Sequence, residues 1–282
     1  MNKIYKTAPL PFQGQKRNFI EQYKYALKEI KSKKNITTIV DLFGGSGLLS
    51  HTAKGLFPEA QVIYNDFDNY NVRLRNVNRT NHLLSDIRNI IGIGKTKGYK
   101  LDNETKKSII DRILIEENTG FIDYITISSS LLFSAKYVTG IEELRTETFY
   151  NNTKQSNYDV NADEYLSGLD IVRQDYCLLY ERYKNIPGVL FVIDPPYLST
   201  DTKTYSSDKY WKLKDYLNVL NVLSNTDYIY FTSNKSSLIE LCEWFSQNYN
   251  LKNPFFNAHI FKHDVQLNRT AKYTDIMLYK YR

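Results

Sequence analysis

Asp194, Pro195, Pro196 and Tyr197 follow directly on the apolar, β-branched run Val189 to Ile193. Two consecutive prolines remove the backbone N–H donors, fix the course of the chain and leave carbonyl oxygens at the end of an expected strand. Such a turn accepts hydrogen bonds and donates none. A carboxylate and a carbonyl acceptor beside an aromatic face suit an exocyclic NH2 on a planar base. Asp194 and the Pro195 carbonyl would take its two hydrogens, and Tyr197 would stack on the ring. The plainer alternative is a proline-stiffened strand exit with Tyr197 in the core. Function concentrates in loops at strand ends, which favours the first reading.

A second cluster spans Asp41, Leu42, Phe43, Gly44, Gly45, Ser46 and Gly47, where a short β-branched run gives way to a helical one. Glycines there let the backbone approach a ligand and aim its N–H groups at it. On its own such a turn also serves strand-to-helix connections that bind nothing. It is not a phosphate-binding P-loop, since no Lys-Ser/Thr follows the last glycine, and it departs from the spaced GxGxxG of dinucleotide binders. The next expected strand ends in Asn65-Asp66-Phe67-Asp68. A carboxylate there can accept both hydrogen bonds of a ribose diol, with Asp66 the better placed and Asp68 equally suited to cap a helix.

These residues need a frame that brings strand ends together. Apolar positions Phe19, Ile20, Tyr23, Ala26, Leu27 and Ile30 predict one amphipathic helix between Lys16 and Lys34. ITTIVDL and AQVIYND read as strands around the helix LLSHTAKGLF, a β-α-β unit that predicts a parallel sheet with its ligand at the carboxyl ends of the strands. The alternation lapses between about Gly94 and Leu169, where DNETKKSIIDRILIEEN and FIDYITISSSLLFSAKYV read as helices, followed by a polar loop. It resumes with DIVRQD, YCLLYERYK, VLFVID, a helix around Trp211 to Leu223, YIYFTSN and SSLIELCEWF. FFNAHIFK and TDIMLYKY read as a closing antiparallel hairpin.

With 282 residues, 42% of them hydrophobic and 14% aromatic, the chain can bury a full core. Thirty-seven Lys and Arg against 31 Asp and Glu give +6, a mild basicity compatible with an anionic partner. Cys177 and Cys242 have no CxxC spacing and no histidines beside them, so no metal site is expected. No apolar run reaches the length of a membrane span and the N-terminus has no signal-like segment, so a cytoplasmic protein without membrane contact is expected.

The succession of Phe43, Gly45 and Gly47, then Asp66, a variable region and DPPY resembles the Dam-type, alpha-group class of DNA adenine-N6 methyltransferases. Pro11-Phe12-Gln13-Gly14-Gln15-Lys16 is similar to that family's N-terminal cofactor motif, and Asp175-Tyr176 to its Asp-aromatic pair. The similarity covers about residues 8 to 80 and 170 to the end. It implies a Rossmann-like α/β sheet, with residues 1–93 and 170–282 forming a catalytic domain that binds S-adenosyl-L-methionine (SAM). Residues 94–169 would be an inserted, mostly helical target-recognition subdomain. It further implies that Phe12 and Lys16 help hold SAM, Phe43 packs on its methionine part, Asp66 binds the ribose, and Asp175 with Tyr176 meets the adenine. The implied partner is DNA, taken as duplex, and the implied activity is site-specific methylation of a flipped adenine. An rRNA adenine methyltransferase is the main rival, since some of those enzymes also carry DPPY and a helical insertion. Glutamine and cytosine-N4 methyltransferases more often carry NPPY and SPPY. The chain departs from Dam itself: the middle lacks a clear RxNxxGxFNxPxG stretch and nothing after Tyr197 matches FGxxDQ, so the resemblance does not extend to GATC recognition.

Overall fold

The computed structural model describes residues 5–92, 96–133, 136–197, 211–266 and 272–282. Its first half runs α1 (Ile20–Lys33), β1 (Thr38–Asp41), α2 (Leu48–Leu56), β2 (Gln61–Asn65), α3 (Tyr70–Arg75), α4 (Val77–Ile91), α5 (Asn103–Glu117), α6 (Tyr124–Leu131) and α7 (Ile141–Thr146). The second half runs β3 (Asp170–Val172), α8 (Tyr176–Tyr183), β4 (Val189–Ile193), α9 (Leu213–Ser224), β5 (Asp227–Ser233), α10 (Leu238–Tyr249), β6 (His259–Gln266) and β7 (Lys272–Lys280).

The strands form one seven-stranded sheet in the order β3-β2-β1-β4-β5-β7-β6. Pairing is parallel from β3 through β5, and β7 runs antiparallel to both β5 and β6. The expected closing hairpin is therefore present as β6 and β7. Every residue of β1 and β4 is buried, as expected for strands covered on both faces. Period-two alternation sorts their side chains. Ile39, Leu190, Val192, Phe231 and Met277 pack with α1 and α2, whereas Val40, Phe191, Ile193, Tyr230 and Leu278 pack with α8, α9 and α10. Among the described residues no helix is long and apolar enough to cross a membrane.

The chain packs as two compact units: residues 1–7, 15–68 and 168–282 make the sheet unit, and residues 8–14 and 69–167 make a helical unit. The division falls at Asn69, ahead of the lapse in sequence alternation at Gly94, because α3 and α4 pack with helical elements. Asn81 of α4 donates to the Tyr158 carbonyl and accepts from the Tyr158 N–H, both at 2.9 Å. The segment 8–14 joins the same unit: Leu10 N–H donates to Tyr70 Oη at 2.9 Å, and Arg73 Nη2 donates to the Pro11 carbonyl. Arg73 is itself held by Asp123, which also caps α6.

Two helices are shorter than their sequence patterns. A 3-10 turn over Arg17–Phe19 precedes α1, leaving Lys16 outside the helix. The expected long helix through FIDYITISSSLLFSAKYV is ordered as α6 only to Leu131, because a following segment takes its terminal carbonyls. Tyr150 N–H donates to Leu131 O at 2.7 Å, Asn152 N–H to Ser130 O at 3.0 Å, and the Asn152 side-chain amide to Leu132 O at 2.7 Å.

Candidate active site

The buried strand β4 delivers Asp194 to the carboxyl edge of the sheet. Its Oδ2 lies 2.6 Å from Lys16 Nζ, and the two side chains are 16% and 9% exposed. Burial pushes the Asp194 carboxyl above the ordinary carboxylate range, while the Lys16 ammonium pulls it back. Lys16 Nζ also sits 5.1 Å from the centre of the Tyr197 ring and 5.8 Å from that of Phe231. Asp194 Oδ1 is buried and meets no hydrogen-bond partner among the described residues. The sequence-based reading placed Lys16 on the cofactor. In the structure Lys16 forms an ion pair with Asp194, a link that no local pattern could reveal across so long a separation.

The glycine loop leaves β1 with Gly45 and Gly47 in left-handed conformations, at φ 49° and 72°. Gly44 is needed for a different reason. A Cβ there would lie 2.2 Å from Tyr64 Cε2 and 2.9 Å from the Asn65 carbonyl oxygen. The fully buried Tyr64 presents its hydroxyl to Gly45 O at 2.7 Å and to Asp66 Oδ1 at 3.1 Å, joining loop and β2 end. Ser46 is buried in the turn, and Asp41 is buried beneath it with Ser50 Oγ donating to its Oδ2 at 2.6 Å. Burial pushes the Asp41 carboxyl up to about 7, with the Ser50 bond opposing and the Asp194 charge adding to the rise.

Asn65, unread in the sequence, ties three strand ends together. Its amide donates to Leu42 O at 2.9 Å and to Gln174 O at 3.0 Å, and its Oδ1 accepts from Gln174 N–H at 3.0 Å. Phe43, Tyr176, Trp211 and Tyr216 then form an aromatic group: Phe43 lies 4.9 Å from Tyr176, and Tyr176 stacks on Trp211 at 5.6 Å. Trp211 contacts Phe43 and Tyr216 as well, whereas the sequence pattern marks it only as the start of a helix. Asp175 is exposed and caps α8 by accepting from Cys177 N–H at 2.8 Å. Phe12 lies in the helical unit, its ring edge-on to Tyr70 at 5.7 Å.

A sheet of this order with its seventh strand reversed, a glycine loop after β1 and an acidic exit from β4 define a Rossmann-like methyltransferase frame. Comparison with known proteins agrees. Residues 12–260 match the family described as D12 class N6 adenine-specific DNA methyltransferase. A protein of Haemophilus influenzae named "Putative methyltransferase" is 38% identical over 281 residues, covering 99% of this chain and 94% of that protein. The chain belongs to the D12 class of N6 adenine-specific DNA methyltransferases.

Proposed function

We propose that the protein transfers a methyl group from SAM to the N6 amine of an adenine in DNA, at the strand end that carries Asp194 to Tyr197. The observation that carries this reading is the Asp194 carboxylate: one oxygen is held by Lys16, and the other is buried with no described partner. A buried acceptor of that kind costs stability unless a ligand completes it. An amine N–H would complete it, and the Pro195 carbonyl would accept the second hydrogen. Duplex DNA must then present the base outside the stack, with Tyr197 as the replacement stacking surface.

The residues present fit SAM. Phe43, Tyr176 and Trp211 offer ring faces for a purine, Asp66 offers a carboxylate for a diol, and the Gly45 and Gly47 turn lets the backbone approach a ligand. Bound there, SAM supplies an electrophilic methyl group. The N6 lone pair is delocalised into the adenine ring, and hydrogen bonds to Asp194 and Pro195 favour a more tetrahedral, more nucleophilic nitrogen. Because burial leaves the Asp194 carboxylate poorly solvated, positive charge developing on the nitrogen is strongly stabilised beside it. The helical unit is the proposed DNA-reading part.

The test is methylation of duplex DNA, with rRNA as the competing substrate. Asp194→Ala should lose two to three orders of magnitude in rate, roughly the loss expected for one preorganised partner, while SAM binding by calorimetry persists. Tyr197→Phe should keep most activity and Tyr197→Ala should not. An Asp194→Ala enzyme that turns over normally would sink this assignment.

A further inference from the structure

Asp275 stands near the start of β7, opposite Ser233 of β5 and His263 of β6. Met277, two residues on, packs with α1 on the same face as Phe231 and Val192. Alternation therefore puts Asp275 on that face, as it does Asp194 two residues beyond Val192. The segment carrying Lys16 lies over the same strands. Phe19 N–H donates to the Lys16 carbonyl at 2.9 Å, and the Phe19 ring meets Phe231 at 5.8 Å and His263 at 6.0 Å. Lys16 Nζ passes over Phe231, whose strand neighbours β7, and pairs with Asp194; its charge is also felt at Asp275. Asp275 Oδ1 is buried with no hydrogen-bond partner among the described residues.

We propose that Asp275 is a positioning residue for methyl transfer, sharing the Lys16 ammonium with Asp194 and leaving the three groups with one net negative charge. The proposal rests on Asp194 being the acceptor of the target amine. The Lys16–Asp194 pair is neutral overall, so the ammonium offsets part of the attraction that the Asp194 carboxylate offers a nascent cation. Methyl transfer moves positive charge from the sulfur of SAM to the amine nitrogen, so a second carboxylate favours the transition state over the ground state. Asp275 also gives Lys16 a second anion to face, so that the ammonium need not neutralise Asp194 alone. The charged and titratable groups facing Asp275 include Lys16, Asp194, His263 and Tyr273. Burial raises its carboxyl above the ordinary range, the Asp194 charge adds to the rise, and Lys16 and His263 oppose it. Asp194 in turn faces Lys16, Asp41 and Tyr230.

The experiment compares full-length Asp275→Asn, Asp275→Glu and Asp194→Asn with wild type. In the SAM-free protein, carboxyl-carbon NMR should show Asp194 and Asp275 titrating as a coupled pair. In Asp275→Asn, Asp194 should titrate at lower pH because the like charge is gone, and in Asp275→Glu the coupling should persist. In turnover on duplex DNA, Asp275→Asn should lower kcat on the order of tenfold, as expected for one charge acting at partly screened range. KM for DNA and SAM affinity should hold, and the acid limb of kcat should move to lower pH. Asp275→Glu should recover most of the rate. If Asp194→Asn is inactive while Asp275→Asn keeps the wild-type kcat, acid limb and Asp194 titration, this proposal alone is overturned. An active Asp194→Asn overturns both it and the functional reading. Should the Asn variant fail to fold, an Asp275→Glu enzyme in which Asp194 titrates as an isolated group would overturn the shared-charge arrangement.

Discussion

Among single residues, Asp41 shows how the site charges its own stability. Its carboxyl is fully buried, accepts from Ser50 Oγ, and is pushed from 3.8 up to about 7, chiefly by burial. Because the folded value lies above the unfolded one, the folded protein binds a proton that the unfolded chain has lost. Its stabilising contribution is complete below about pH 4 and disappears as the pH rises through 7. Asp41→Asn removes this dependence while keeping an acceptor for Ser50. The stability difference between variant and wild type in urea should shift in the variant's favour by on the order of 4 kcal/mol from pH 4 to pH 8. A difference that stays level over that range would mean that Asp41 titrates as an ordinary carboxyl.

Among elements, the glycine loop is fixed by what packs behind it as much as by its own conformation. Gly44→Ala would drive a methyl group into the Tyr64 ring and the Asn65 carbonyl, both on β2. Tyr64 is buried and joined to Gly45 and Asp66, so relief requires moving the loop or the strand end. The expected loss is roughly 1–3 kcal/mol, as for other overpacked sites, together with weaker SAM binding. Gly55→Ala in α2 is the matched control: a Cβ there meets nothing within 4 Å, and the change should raise stability by about 0.5–1 kcal/mol. Thermal melts and SAM calorimetry on the pair check both, and equal effects would show that the Tyr64 contact is unimportant. The strands, the glycine turn and the hairpin were legible because period, β-branching and glycine act locally. The Asn65 tie was not legible, because its partner Gln174 is 109 residues away and an asparagine at a strand end looks like any turn residue. The Lys16–Asp194 pair and the ring of Trp211 on Tyr176 were hidden for the same reason. Asp275 sat in plain view within an apolar strand, but nothing in that strand indicates which charges face it.

For the whole molecule the open question is which part reads sequence, and the helical unit narrows it. The polar stretch Thr146 to Asp159 offers, in sequence, amides suited to base edges and a lysine suited to phosphate. In the structure several of them serve the fold. Asn151 is buried and accepts from Thr153 Oγ1, Asn152 holds the end of α6, Tyr158 is buried against α4, and Asn157 accepts from Arg88. Lys154 and Gln155 stay exposed, with the Lys154 ammonium 4.5 Å from the Tyr158 ring centre. If this unit carries recognition, the three kinds of residue must fail differently. Gln155→Ala should relax the methylated sequence without lowering stability, since glutamine reads base edges through paired hydrogen bonds. Lys154→Ala should weaken all sequences alike and reduce the slope of affinity against salt by about one. Asn151→Ala should instead cost stability, by about 1–3 kcal/mol for the polar partners it leaves buried, with the methylated sequence unchanged. Sequencing the methylated positions in DNA from a methylation-free host carrying each variant separates these outcomes. A motif that survives Gln155→Ala unaltered would move recognition away from this loop.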